Sequence, residues 1–357
     1  MDDTIELSST KESSSIPDGP ASQAPPAHVQ LIQMVTGNWV SSVVYAAAKL
    51  DLADHLASGP RSAEELAGPL GAHAPALHRF MRCLAGLGIL SERPGQRFAL
   101  TDLGEALKTG APGSARASIL TIGSPWFSGA FDEIVYSIQT GRTAFEKVQG
   151  MPAFEYLSRH PEAASLFSET MVGVHGQEPP AVAEAYDFSV FHTVVDVGGA
   201  TGNLLAAILA RHQGPRGILF DRPYVVGEAP ALLEARGVAN RVTIEAGDFF
   251  ETVPAGADAY VLSHVIHDWS EAQCLTILAR VRKAMKPEGR LLLVEMVLPA
   301  GDTPHLGKLL DMVMLVLPGG QERTEEEYRP LLAKAGFRLT QVIPTNSAVS
   351  IVEAVQA

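Results

Sequence analysis

From His192 to the C-terminus, short aliphatic and β-branched runs alternate with helical stretches, and this rhythm constrains the fold more than any other feature. Strands are expected at 193–197, 217–221, 241–245, 258–263, 290–298, 337–343 and 348–355. Helices, for instance 202–212 and 270–285, fill most of the gaps. Strand–helix alternation of this kind predicts an α/β fold with a parallel, doubly wound sheet, whose ligands bind beyond the carboxyl ends of the strands.

The preceding chain has a different character. Residues 1–27 are rich in Ser and Pro with few large apolar groups, a composition that predicts a disordered tail. Residues 28–109 read as a separate domain. Leu31, Ile32, Val35, Trp39, Val43, Val44, Ala47 and Leu50 recur at helical steps. Ser62 and Glu65 have capping-box spacing, a second helix runs through Leu77, Met81 and Leu84, and two short strands flank Pro94-Gly95. Two helices and a hairpin predict a winged helix, which raises DNA binding. Seven basic and seven acidic residues in that region leave no basic stripe for a phosphate backbone, so dimerisation or a lid is expected instead. Residues 110–190 read as helical, with large side chains at Trp126, Phe127, Phe154, Phe167 and Met171.

The whole chain of 357 residues carries a formal charge of −13, which argues against nucleic acid or an anionic membrane as partner. Its apolar runs are too short to span a bilayer, and Met1-Asp2-Asp3 lacks the opening of a signal peptide. Two cysteines suit a reducing cytoplasm, where the protein is expected.

Candidate chemistry lies at the strand ends. Asp196-Val197 leads into Gly198-Gly199-Ala200-Thr201-Gly202, a turn that lets a ligand approach the backbone and a helix N-terminus. Dinucleotide enzymes use similar turns, and a bare strand-to-helix turn looks the same. Asp221 ends the next strand, where an acid commonly holds ribose hydroxyls. Asp248 and Phe249 follow the third strand; a carboxylate there can accept the adenine amino group while an aromatic covers the ring, though a turn acid beside a core aromatic fits equally. The fourth strand runs into Ser263-His264-Val265-Ile266-His267-Asp268-Trp269. His267 lies just past that strand end, but spacing does not separate it from His264 as a catalytic histidine. Glu295 is a lone carboxylate in an apolar strand, and Glu322 reads equally as a helix-start acid or a partner of Arg323. No histidine pair has zinc spacing and no acidic loop has calcium spacing, so no metal is expected.

Taken together, Val194-Val-Asp-Val-Gly-Gly-Ala-Thr-Gly202, Gly247-Asp-Phe-Phe250, His267-Asp-Trp269, Glu295-Met-Val-Leu-Pro299 and Gly319-Gly-Gln-Glu-Arg-Thr324 stand in family order. The chain resembles the S-adenosylmethionine-dependent O-methyltransferases of the caffeic acid and hydroxyindole type, including bacterial natural-product enzymes, over about residues 28–357. The resemblance implies a class I methyltransferase sheet of seven strands with the last one antiparallel. It also implies a winged-helix-like dimerisation domain (28–109), a helical pocket segment (110–190), a cofactor-binding catalytic domain (191–357) and a homodimer. Gly198, Asp221, Asp248, Phe249 and Ser263 fall on cofactor-binding positions, His267 on the general base, and Glu295 and Glu322 on the acids beside it. Phe167, Met171 and Met314 fall on positions lining the acceptor pocket. Ala200 departs from the usual glycine, and Leu317 sits where some phenylpropanoid enzymes place a polar contact.

The implied reaction moves a methyl group from S-adenosylmethionine to a hydroxyl of a small aromatic metabolite, without a metal. Two alternatives remain open on sequence. Some relatives keep the cofactor but use it in hydroxylation, and the chain could instead be a winged-helix regulator that binds a nucleotide.

Overall fold

The computed structural model describes residues 25–357, so the tail expected over 1–27 lies outside the described residues except for its last three. The chain separates into two compact units, one ending at Ser42 and one beginning at Val43. In the first, the helical pattern forms two helices, Ala27–Val35 and Gly37–Lys49, the second continuing into the next unit. The break falls at Thr36, whose hydroxyl donates back to the Gln33 carbonyl at 2.7 Å. The first half of the apolar stripe the sequence showed is bare in the single chain, with Leu31, Ile32, Val35 and Trp39 all more than 60% exposed, whereas Val43, Val44 and Ala47 pack in the core around Leu77 and Met81.

The second unit begins with the winged-helix pattern. Strand β1 (Arg61–Ser62) leads into helix Ala63–Ala67, whose capping box is formed by Ser62 and Glu65 as their spacing predicts. Helix Ala74–Gly86 buries Leu77, Met81 and Leu84, its i, i+4 and i+7 positions. Strands β2 (Leu90–Arg93) and β3 (Arg97–Leu100) form the hairpin, and β1 completes a three-stranded sheet in the order β1-β3-β2. Seven helices follow between Arg116 and Ala185. Trp126, Phe127, Phe131, Phe145 and Tyr156 pack there with Val316 and Leu317. Leu317 thus belongs to an apolar cluster, which explains why no polar residue stands there.

The large sheet contains β4 (Thr193–Val197), β5 (Arg216–Asp221), β6 (Val242–Ala246), β7 (Ala259–Ser263), β8 (Arg290–Glu295), β9 (Phe337–Pro344) and β10 (Ser350–Gln356). Their order is β6-β5-β4-β7-β8-β10-β9. The pairs among β4 to β8 are parallel, and β10 alone runs against its neighbours β8 and β9. Alternate residues serve opposite faces. Val195, Val197, Tyr260, Leu262, Leu291 and Leu293 pack toward helices Glu271–Ala284 and Glu325–Lys334. Val194, Val261, Leu292 and Val294 pack toward Asn203–Arg211 and Glu178–Ala185. With both faces covered, these strands read as continuous apolar runs. The chain leaves β4 for β5 on one side and reaches β7 on the other, so a crevice opens at the carboxyl end of β4.

Candidate functional site

The glycine-rich turn sits in that crevice. Gly198 has φ +73°, and a Cβ there would lie 2.8 Å from a Val265 methyl and 3.6 Å from the Phe249 ring. Only a bare backbone fits, which keeps the turn, Phe249 and the loop after β7 within reach of one ligand. Asp221 has each oxygen engaged once: Oδ2 accepts from the Ala200 amide at 2.8 Å and Oδ1 from the Arg222 amide at 2.6 Å. A carboxylate oxygen has a second lone pair, so two ribose hydroxyls could still be accepted. Burial raises the Asp221 pKa. Asp248 accepts from the Phe250 amide at 2.9 Å and pairs with the Arg222 guanidinium. An adenine amino group would therefore compete with Arg222 for that carboxylate. Ser263 ends β7 half-buried, beside the turn. The arrangement fits an adenosine cofactor whose sugar meets Asp221. Trp269 packs edge-on against Phe250, with ring centres 4.8 Å apart, as a packing residue would. Ala200 lies in the left-handed region of the backbone, at φ +50°.

The histidine lies opposite. Ser270 and Gln273 cap helix Glu271–Ala284, which ends the loop where the sequence placed it, and His267 occupies the short helical turn Ile266–Asp268 before it. His267 Nδ1 lies 2.7 Å from Glu322 Oε1 and 3.5 Å from Glu295 Oε2. Both carboxylates are wholly buried at the side chain. Glu295 Oε1 accepts the Ile266 amide at 2.9 Å, pinning the turn. Gly320 lets its strand of chain lie against the turn, since a Cβ there would fall 1.8 Å from the His267 carbonyl oxygen. The neighbouring Gln321 amide donates to that oxygen at 2.8 Å. Glu322 is thus a partner of His267. Arg323 donates instead to the Gln321 carbonyl at 2.9 Å, so the ion pair weighed from sequence does not form among the described residues.

Electrostatics assigns these groups different states. Burial, with Glu322 and Asp268 close by, pushes Glu295 well above the usual carboxylate range. Burial pushes Glu322 up to about 7 and Asp268 to about 6. His267 is lowered by burial despite the opposing pull of Asp268. A neutral His267 that donates Nδ1–H to Glu322 leaves Nε2 with its lone pair. No hydrogen bond to Nε2 occurs among the described residues; Asp268 Oδ1 lies 3.6 Å away.

His264 turns elsewhere. Its Nε2 donates to Glu178 Oε2 at 2.7 Å, and the same oxygen accepts from His175 Nδ1 at 2.9 Å. Spacing could not show this set, because Glu178 and His264 are 86 residues apart. The donor atoms of His175, Glu178 and His264, and separately of His264, His267 and Glu295, lie close enough together for a metal ion. In the first set the short hydrogen bonds satisfy the atoms already, whereas ligands of a tetrahedral zinc would sit roughly 3.3 Å apart. Phe167, Met171 and His175 follow one ridge of helix Pro161–His175, at steps of four. Because the His175 ring lies 3.9 Å from the His264 ring, that ridge turns toward the loop. Met314 is buried on helix Leu306–Val316, one turn beyond Asp311, whose carboxylate accepts the Glu322 amide at 2.8 Å. Sequence reading missed His175, Glu178 and Asp311; only a fold brings them to the site.

Comparison with known proteins gives a consistent result. Residues 131–338 match the O-methyltransferase domain family and residues 32–110 the O-methyltransferase dimerisation domain. The chain is 46% identical to the phenazine O-methyltransferase PhzM of Lysobacter antibioticus, over 91% of this chain and 95% of that protein. It is 42% identical to the O-demethylpuromycin-O-methyltransferase of Streptomyces alboniger, over 92% and 89%. It also superposes, with a TM-score of 0.79 and 33% identity, on an O-methyltransferase from neocarzinostatin biosynthesis in complex with S-adenosylmethionine and 2-hydroxy-5-methyl naphthoic acid. That match covers 89% of this chain and 96% of the other. Two further relatives are N-methyltransferases by name, for 8-amino-8-demethylriboflavin and phenazine-1-carboxylate.

Proposed function

Since the chain belongs to the S-adenosylmethionine-dependent O-methyltransferase family, we propose that it methylates a hydroxyl of a small aromatic metabolite, with His267 as general base and no metal ion. The observation that carries this reading is the 2.7 Å contact between His267 Nδ1 and Glu322 Oε1; with the Glu322 carboxylate as hydrogen-bond acceptor the imidazole proton sits on Nδ1, which leaves the Nε2 lone pair for the methyl acceptor.

Bound S-adenosylmethionine supplies an activated sulfonium methyl, so the chain must align a nucleophilic oxygen and remove its proton. A phenol titrates near 10, so little phenolate exists at neutral pH. With the cofactor bound, His267 would take the hydroxyl proton on Nε2 as the acceptor oxygen gains the methyl group, whose bond to the cofactor sulfur breaks to leave S-adenosylhomocysteine, a contribution of typically ~10²–10⁴-fold. Glu322 holds the imidazolium so formed, as a carboxylate does in a catalytic triad. Glu295, whose carboxyl burial pushes well above the usual carboxylate range, fixes the turn through the Ile266 amide. Asp221 binds the ribose, Asp248 and Phe249 the adenine, and Gly198 and Ser263 the remainder of the cofactor. Phe167, Met171 and Met314 form an apolar wall that favours an aromatic ring. Two copies pair through the bare stripe of Leu31, Ile32, Val35 and Trp39, which a single chain leaves in water.

The test is a screen of phenolic, polyketide and phenazine-type acceptors with labelled S-adenosylmethionine, with and without a chelator. Label should enter an aromatic hydroxyl, unaffected by chelation. A chelator-sensitive reaction, or cofactor binding without any methyl transfer, overturns the proposal. The N-methyltransferases among the relatives favour a second reading, an aromatic amine acceptor. It predicts label on nitrogen and little dependence on His267.

A further inference from the structure

His264 is held in the left-handed region, at φ +53°. A non-glycine residue is disfavoured there and persists only where its surroundings enforce it. It lies between Ser263, which ends β7, and the turn that carries His267, so its backbone sets the direction in which the turn departs. Its amide donates to the Val294 carbonyl at 3.1 Å. Its side chain is anchored by Glu178, which is 7% exposed and opens helix Glu178–Ala185. Burial alone would raise the Glu178 pKa, but the hydrogen bonds from His175 and His264 outweigh it and hold the value at about 2. His264 is pushed by burial to about 4. The geometry itself makes Glu178 the acceptor: one carboxylate oxygen lies within hydrogen-bond distance of a ring nitrogen of both His175 and His264.

That acceptor joins two parts of the site. His175 ends the helix bearing Phe167 and Met171, while His264 opens the loop bearing His267. The His264 and His267 rings are 5.2 Å apart. We propose that Glu178 is a positioning residue for the methyl transfer: by bonding His175 and His264 with one oxygen, it holds the acceptor-pocket helix and the strained start of the catalytic loop in register. The proposal rests on His267 as the base. Without Glu178, His264 relaxes toward a right-handed backbone and the imidazole of His267 loses its line to the acceptor. Other tethers remain, among them Ile266 on Glu295, Gln321 on the His267 carbonyl and His267 on Glu322, so the loop loosens without coming free.

Steady-state kinetics of Glu178→Ala, Glu178→Gln, His264→Ala and the Glu178→Ala/His264→Ala double variant test this, with His267→Ala as control. Glu178→Ala should lower kcat by about 10- to 100-fold while KM for S-adenosylmethionine moves less than about threefold. Glu178→Gln, which keeps an acceptor oxygen, should restore most of the loss. The double variant should be no worse than Glu178→Ala, because both remove one contact. Wild-type kcat in Glu178→Ala, a Glu178→Gln as poor as the alanine variant, or additive losses would overturn the proposal. If Glu178→Ala does not fold, His264→Asn, which tolerates the left-handed backbone and keeps a donor, should outperform His264→Leu; equal turnover overturns it. An inactive His267→Ala beside a fully active Glu178→Ala defeats only this inference, whereas an active His267→Ala defeats the reading beneath it.

Discussion

Glu322→Gln should make the protein more stable at alkaline pH and a poorer catalyst. A buried carboxyl whose titration moves from 4.5 to about 7 costs the folded state roughly 3 kcal/mol once ionised. The sign follows from the raised folded value. Between 4.5 and about 7 the folded protein binds the proton that the unfolded chain releases, so this stability is present below 4.5 and is lost as pH rises through 7. Glutamine has nothing to ionise, so a denaturant series at pH 5 and pH 8.5 should show a smaller loss in the variant than in the wild type. Turnover moves the other way. The bond from His267 Nδ1 to Glu322, 2.7 Å long, becomes charge-assisted on both sides once the imidazole is protonated. Losing its charge costs roughly 1.5–3 kcal/mol, or about 10- to 150-fold in kcat. An amide that offers Nδ1 its N–H instead would place the proton on Nε2 and deepen the loss. Wild-type turnover in Glu322→Gln, together with an unchanged pH dependence of stability, would refute the reasoning.

Other expectations follow from the same geometry. Asp221→Ala removes the acceptor for two ribose hydroxyls, which should weaken S-adenosylmethionine binding by about 10- to 150-fold in calorimetry; unchanged affinity would reject that placement. Ala200→Gly relieves a left-handed alanine at φ +50°, a net gain of roughly 0.5–1 kcal/mol after the entropy of the unfolded glycine; no rise in the unfolding midpoint would show the turn to be unstrained. Trp39→Glu places a charge on a 70% exposed apolar stripe. It should convert a dimer into monomer in light scattering at micromolar concentration, and a monomeric wild type would refute pairing through that stripe.

Much of the sheet could be read because local and global preferences agree along it. Runs such as Val194-Val195 and Leu291 to Val294 serve both faces in turn, so burial leaves a continuous apolar signature. Boundaries were less legible. The fifth strand, expected to reach 298, ends at Glu295 because Leu298 turns its amide to the Arg323 carbonyl at 2.9 Å and brings the Glu322 segment over the site. The helical pattern over 28–50 gave no sign of the break at Thr36, since its apolar spacing continues across it. Glu322 was ambiguous for a related reason: beside Arg323 in sequence it looks paired, yet the chain turns one inward to His267 and the other to backbone carbonyls. Spacing left His264 and His267 open and the resemblance put His267 on the base position; the structure gives the two rings different partners, Glu178 and Glu322. His175 and Glu178 lay beyond any spacing argument.

The base assignment is tested most directly by turnover of His267→Ala and His264→Ala, measured with a phenolic acceptor from about pH 6.5 to 10, where a general base loses its advantage as phenolate accumulates. His267→Ala should fall by about 10²–10⁴ at neutral pH, keep its affinity for S-adenosylmethionine, and recover as the pH approaches that of the phenol. His264→Ala should lose less, through position alone. Full activity in His267→Ala at neutral pH, or a larger loss in His264→Ala, would contradict the account.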